Sequence, residues 1–478
     1  MITPPSMEPK ETIGVRFRAL PSIVVVVASV LLGSAAAAPP YLVPRAGAGE
    51  MIAPPMGWNS WNSGIELTEQ NIHEVIDSMV ASGMRDAGYR YVDLDAGWAY
   101  PERDLAGNLQ ADPRRFPHGM AALADYAHQR GMYLGLYSSP YNEICGQTPD
   151  NASLGHEVDD ARTFASWGVD MLKYDWCRND ADLATQVRDF TAMRDALHAS
   201  GRRILYSINP NSSNNLHAAA DYDWSQVANM TRNTSDLIPL WRNGLPELPI
   251  GTTTTRSLLG VTDEVGAAQP LAARSRPGYW NDPDMLVVGI QLTEFIAAHL
   301  AGFPETVLRG ALTTDQMLYL ESSLEVSPQV IAQLRDPQFS LNPDEQRAHF
   351  SLWAMLAAPL LAGNDVRSMT EQTRSLLTNP DVIAVDQDPA VIQAAPLPGD
   401  ARILTKPLTD GSLAVAMFNT ADAPATIETT TAALGLHPSG CYTVRDLWAH
   451  NGTTTTGPLR GADIPAHGVA MLKISAAC

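Results

Sequence analysis

VDMLKYDWCRND, residues 169–180, carries the reading of the fold. Val169, Met171, Leu172 and Tyr174 suit a strand in a packed interior, yet Lys173 and Asp175 stand among them and Cys177 follows. A buried carboxylate costs several kcal/mol unless it is paired or hydrogen-bonded. A Lys–Asp pair can serve packing alone, but buried charges are seldom idle. The run therefore reads as a core strand whose C-terminal end opens onto a site.

Three more runs share this form. YRYVDLD ends at Asp95, MYLGLY at Tyr137 and RILYSIN at Asn209, with amphipathic segments between them. The first such segment sets Ile72, Val75, Ile76, Met79 and Val80 on one helical face, with Gly83 and Gly88 at its end. The four strand ends lie 42, 38 and 34 residues apart. That is the rhythm of βα units, since parallel strands need long crossovers. Neither GxGxxG nor GxxxxGK[ST] occurs, so the dinucleotide and P-loop forms lack their signature. The expected fold class is α/β, a (β/α)8 TIM barrel over residues 50–392, in which catalytic groups gather at the C-terminal strand ends. Asp95, Tyr137, Asp175 and Asn209 all fall there. Beyond AAPLPGD the texture changes to ARILTKPL, GSLAVAMFN, ATIETTTA, GCYTVRDLW and GVAMLKIS. These short alternating runs predict an antiparallel β-sandwich domain over 393–478.

A formal charge of −20 argues against nucleic acid, anionic membranes and highly anionic substrates as partners and leaves neutral ligands open. Lys10, Arg16 and Arg18 precede the apolar run SIVVVVASVLLG and the small residues Ala35–Ala38. Residues 1–38 read as a secretory signal peptide, which places the mature chain outside the cell or in a periplasm. A retained N-terminal anchor is the alternative, disfavoured because the run falls short of the roughly 20 residues of a membrane span, and no other stretch is long and apolar enough. Cys145, Cys177, Cys441 and Cys478 allow three pairings, the simplest being Cys145 with Cys177 and Cys441 with Cys478. Their spacing is unlike a zinc knuckle and HExxH is absent, so neither metal nor cofactor is expected.

A second carboxylate, Asp236 in NMTRNTSDLIPLW, follows Arg232 by four residues, and VANM reads as a strand leading into this loop. Two carboxylates at a barrel mouth suit glycoside hydrolysis, one attacking the anomeric carbon and the other protonating the leaving oxygen. Lys173 is expected to keep Asp175 ionised, as a nucleophile requires. Asp236 needs a raised pKa to act as the acid. Arg232 would lower it, so its guanidinium is expected to point at substrate or at Asp175. Trp58 and Trp61 in PPMGWNSWN, with Trp98, offer faces on which sugar rings stack, although tryptophan more often packs in a core.

Taken in order, PPMGWNSWN, YRYVDLDAGW, FPHGMAALADYAHQRGMYLGLYS, GVDMLKYDWC, WNDPDML, EQRAHFSLWAMLAAPLLAG and DVIAVDQDP resemble glycoside hydrolase family 27. This is the α-galactosidase and α-N-acetylgalactosaminidase family, and the resemblance runs from about residue 51 to the C-terminus. It implies a (β/α)8 barrel, a C-terminal β-sandwich and retention of configuration through a covalent glycosyl-enzyme. Asp175 matches the nucleophile and Asp236 the acid/base. Trp61, Asp95, Tyr137, Lys173 and Arg232 match sugar-binding positions, and Cys145 with Cys177 a disulfide beside the site. The implied activity is release of terminal α-D-galactosyl residues from a neutral oligo- or polysaccharide.

The chain also departs from the pattern. Ala96 stands where family galactosidases carry a second acid that holds the galactose O4 and O6 hydroxyls. Asn209, in Ile208-Asn209-Pro210, stands where many members place Glu or a similar reader of the sugar 2-position, and SSPYNEIC lacks the usual acidic residue. Residues 290–340 are expected as an insertion over the barrel mouth. Losing a hydroxyl-binding group can change the preferred sugar. The alternative is thus the same mechanism on another sugar, as an isomaltose-releasing dextranase or a β-L-arabinopyranosidase. A non-catalytic carbohydrate-binding barrel is a third reading, opposed by the intact Asp175 and Asp236.

Overall fold

A computed structural model describes residues 53–145, 151–177, 182–211, 215, 217–243, 249–250, 253–254, 258–299, 340–437 and 440–476. The expected leader at 1–38, Cys478 and most of the expected insertion at 290–340 lie outside the described residues.

Eight short parallel strands form the barrel: β1 (Met56–Asn59), β2 (Tyr91–Leu94), β3 (Tyr133–Ser138), β4 (Met171–Asp175), β5 (Leu205–Asn209), β6 (Met230–Arg232), β7 (Trp280–Asp282) and β8 (Leu360–Ala362). They pair in the order β8-β1-β2-β3-β4-β5-β6-β7. The ring closes just past β7, where the Leu286 N–H donates to Leu361 O at 2.7 Å and the Gly363 N–H to Leu286 O at 3.0 Å. Barrel strands are covered inside by other strands and outside by helices, so they read as near-continuous apolar runs. That is why a charge inside one stands out.

The helices follow from their apolar stripes. The helix Glu69–Ala81 starts at Thr68, whose side chain accepts the Asn71 N–H, and buries Ile72, Val75, Ile76 and Met79. One strand forms later than VANM suggests. The N–H groups of Val227 and Ala228 bond back to Trp224 O in a 3-10 turn, so sheet pairing begins only at Met230.

At the C-terminal end, strands β9 (Ala395–Leu397), β10 (Asp400–Pro407), β11 (Leu413–Phe418), β12 (Ala425–Thr430), β13 (Tyr442–Asp446), β14 (Gly452–Thr455), β15 (Pro458–Ile464) and β16 (Val469–Ala476) are antiparallel. A six-stranded sheet ordered β9-β10-β11-β16-β13-β14 faces the pair β12-β15. Val415 and Met417 of β11 point into the core shared with Ile427 and Leu459. Ala414, Ala416 and Phe418, on the opposite face, join the core of the barrel domain. Burial on both faces explains the unbroken apolar run LAVAMF. Sequence reading missed β14, a largely exposed run of threonines, and β15, where Arg460, Gly461, Ala462 and Asp463 separate the buried Leu459 and Ile464.

Candidate active site

β4 places Lys173 and Asp175 two residues apart, so both enter the barrel interior together, while Tyr174 turns outward onto Phe190. Lys173 Nζ lies 2.7 Å from Asp95 Oδ2 and 3.5 Å from Asp175 Oδ2. Burial pulls this ammonium down, and the Asp175 and Asp95 carboxylates outweigh it, so its pKa stands above the ordinary lysine value. Burial pushes Asp175 up to about 6 against the pull of Lys173, with Asp95 adding repulsion. Lys173 thus restrains the rise without returning Asp175 to the ordinary carboxylate range. Asp175 Oδ1 is buried and makes no hydrogen bond. A bare buried carboxylate oxygen is a cost that structures accept only for a reason.

Asp95 lies one residue beyond β2, at its C-terminal end, and takes a hydrogen bond from Asn59 Nδ2 at 3.1 Å and from the Ala96 N–H at 2.9 Å. Asn59 also donates to Asp93 Oδ2 at 2.6 Å. Asp93 is wholly buried, and burial together with the Asp95 charge raises its pKa to about 7. In register it faces Gly135 of β3, where a β-carbon would come within 2.5 Å of Asp93 Oδ1. Only glycine leaves room for this third carboxylate. Asp93 and Asn59 were not singled out from the sequence, although Asp93 and Asp95 alternate within YVDLD and so share a strand face.

Two strands on from β4, Arg232 ends β6, buried among acids. Its Nη2 contacts Asp236 Oδ1 at 3.0 Å and its Nη1 contacts Asp284 Oδ1 at 3.1 Å. The expectation that Arg232 would point at substrate or at Asp175 instead of Asp236 is thereby corrected. Four residues along a turn from β6, Asp236 falls within reach of the guanidinium, and Asp284 fixes the guanidinium's other edge. Burial lowers the Arg232 pKa, but Asp284 and Asp236 outweigh it and hold it above the usual arginine value. Asp236 itself is 62% exposed, facing the space above the strand ends. Asp282, raised by burial to about 7 in spite of Arg232, and the buried Glu264 complete this acidic ring. WNDPDML held the signal for Asp282 and Asp284, but nothing local marked Glu264.

The remaining expected residues separate. Tyr137, on β3, is buried, with its hydroxyl 3.7 Å from Cys177 Sγ. Asn209 pairs in register with Asp175, and its Oδ1 accepts the Asn211 N–H at 3.1 Å. Trp61 follows β1 in a 3-10 turn and is 41% exposed. Trp58 and Trp98 are fully buried, their indoles donating to Asn364 O and Tyr137 O. Those two are core residues, the commoner place for a tryptophan, and Trp61 alone of the three is exposed. A disulfide joins Cys145 to Cys177, with Cα atoms 4.8 Å apart, and ties the loop beyond β3 to the loop beyond β4. Cys478, the expected partner of Cys441, lies outside the described residues. Among the described residues no cluster of His, Cys, Asp or Glu is arranged to hold a metal ion.

A parallel barrel with a bare carboxylate oxygen at one strand end and an exposed acid in the loop after a strand two places on has the layout of a glycoside hydrolase. Comparison with known proteins agrees. The family model described as Alpha galactosidase A matches residues 53–294 and 332–388, and that of the Alpha galactosidase C-terminal beta sandwich domain matches 398–474. Alpha-galactosidase A of Cellvibrio japonicus is 36% identical over 437 residues, covering 88% of this chain and 92% of its own. Alpha-galactosidase of Cyamopsis tetragonoloba is 32% identical, with 88% and 86% covered. The crystal structure of alpha-galactosidase I from Mortierella vinacea superposes with a TM-score of 0.72 at 29% identity, covering 90% of this chain and 99% of that one. The chain belongs to glycoside hydrolase family 27, the α-galactosidase family.

Proposed function

We propose that this hydrolase is secreted and releases terminal α-D-galactosyl residues from neutral oligo- or polysaccharides with retention of configuration. The observation that carries the reading is Asp175, with one oxygen near Lys173 and the other buried without a partner. In the first step Asp175 Oδ1 attacks the anomeric carbon. The bond from that carbon to the leaving oxygen breaks, and Asp236 supplies the proton that oxygen needs. In the second step Asp236, now a carboxylate, takes a proton from water as the water's oxygen attacks the anomeric carbon and frees Asp175. Asp95 and Lys173 line the floor to receive hydroxyls, and Trp61 offers an exposed face at the rim. The exposure of Asp236 suits a group that must meet both leaving group and water. Secretion is supported by the N-terminal pattern of residues 1–38 and by the disulfide, which persists in oxidising compartments.

A specific observation favours a second sugar. Ala96 presents only a methyl group where a second acid would stand, and its N–H is committed to Asp95. The same two aspartates would then act on a β-L-arabinopyranoside or a dextran end. Assay of the purified protein on aryl α-galactoside, α-N-acetylgalactosaminide, β-L-arabinopyranoside and dextran, with Asp175→Asn alongside, decides between them. Galactoside turnover lost in the variant supports the first reading. Release of arabinose or isomaltose alone keeps the mechanism and overturns the sugar.

A further inference from the structure

We propose that Asp284 is a positioning residue for the acid/base arm, holding Asp236 through Arg232 on one side and through the Leu237 amide on the other. The inference rests on the reading of Asp236 as acid/base. Asp284 uses both carboxylate oxygens: Oδ1 contacts Arg232 Nη1 at 3.1 Å, and Oδ2 accepts the Leu237 N–H at 2.9 Å. Arg232 in turn donates from Nη2 to Asp236 Oδ1 at 3.0 Å and to Ser235 O at 2.6 Å. Each residue of Ser235–Leu237 is therefore held, directly or through one guanidinium, by a carboxylate 47 positions after Leu237. Asp284 and Arg232 are both about nineteen-twentieths buried, while Asp236 is exposed. A rigid base below an exposed reacting group is the arrangement that keeps a proton donor aimed.

The backbone of Asp284 strengthens the case. Its φ is +79°, a left-handed conformation that L side chains with a β-carbon rarely adopt. Such strain persists only where the surroundings over-determine it, and it gathers at functional sites. Here Asp282 Oδ1 accepts the Asp284 N–H at 2.9 Å, and the Trp353 indole donates to Asp284 O at 2.8 Å. The bend also precedes the Leu286 seam that closes the barrel. Closing the seam is a competing role; it uses the carboxylate only through the Met285 N–H, which Oδ1 accepts at 2.7 Å, and it predicts no dependence on leaving group.

The test uses Asp284→Asn, which keeps the side-chain shape, and Asp284→Gly, which removes both contacts while relieving the left-handed strain. Each is assayed on aryl α-D-galactosides of 2,4-dinitrophenol, 4-nitrophenol and phenol, or on β-L-arabinopyranosides of the same phenols if the wild type prefers that sugar. Departing dinitrophenolate needs no proton, whereas phenolate does. The expected result is a fall in kcat/KM of roughly 10²-fold for the phenyl glycoside against less than about threefold for the dinitrophenyl one. An equal fall for all three leaving groups, or none, overturns the proposal. Asp236→Ala, run in parallel, separates the two readings. If it shows the leaving-group dependence and the Asp284 variants do not, only the positioning role fails; if it shows none, the acid/base assignment itself fails.

Discussion

Lys173 stands 2.7 Å from Asp95 but 3.5 Å from Asp175, so its ammonium binds more closely to Asp95 than to the proposed nucleophile. Asp175 feels the cation as a field and keeps an oxygen bare. A nucleophile gripped by a short ion pair would lose reactivity, whereas one left without a cation in a buried site would stay protonated. The observed spacing lies between these extremes.

The first prediction follows from that spacing. Asp175 must be ionised to attack, and its pKa is held at about 6, so kcat/KM should rise with pH through about 6. Removing the cation with Lys173→Met takes away a downward pull, so the acid limb should move to higher pH by about 1–3 units. A pH–rate profile of both proteins measures this. An unmoved limb would separate Lys173 from the ionisation of the nucleophile.

Asp93 makes a prediction about stability. Its pKa is about 7 in the folded chain against 3.8 as the unperturbed value, so the folded state binds the extra proton between these limits. Its contribution is therefore fully present below pH 3.8 and is lost as pH rises through about 7. Asp93→Asn abolishes the titration. The variant should lose less stability than wild type between pH 5 and 8, measured as the difference in Tm at the two values. Parallel Tm curves would show that Asp93 does not carry the burden of charge.

The disulfide joins residues 32 apart and borders the site through Tyr137. Replacing both Cys145 and Cys177 with serine should cost about 3–4 kcal/mol of folding stability by the chain-entropy estimate. Denaturant midpoints of the two proteins measure that loss. The phenol of Tyr137 would lose its neighbour as well, so kcat/KM should drop even where the variant is fully folded. Unchanged stability and activity would leave the bridge without a role.

Ala96 tests the choice of sugar. Ala96→Asp places a carboxylate beside Asp95, where a galactose hydroxyl would be received. The ratio of galactoside to arabinopyranoside turnover should rise by roughly 10-fold or more, the scale of one gained polar contact. A ratio that stays the same would remove Ala96 from the determinants of specificity.

Much of this was legible before the structure. Apolar runs spaced by helical segments announced the barrel, because strand and helix each write their own period into a dozen residues. Asp175 and Asp95 were visible because a charge at the end of an apolar strand breaks that period. β14 was not, because exposed threonines carry no apolar alternation, and β15 was not, because only Leu459 and Ile464 of its seven residues are large and apolar. Local pattern did not separate the buried Trp58 and Trp98 from the exposed Trp61, since an aromatic in a local motif looks the same whether it points inward or outward.

The sequence by itself determined which residues stand at the strand ends and that a second acid, Asp236, follows β6. Local pattern and ordered motifs suffice for that. Only the tertiary structure decided how the charges are shared: Lys173 with Asp95, 78 residues away, and Arg232 with both Asp236 and Asp284. Which acid a buried cation chooses depends on register across neighbouring strands and on tenths of an ångström. Those distances exist only once the ring has closed.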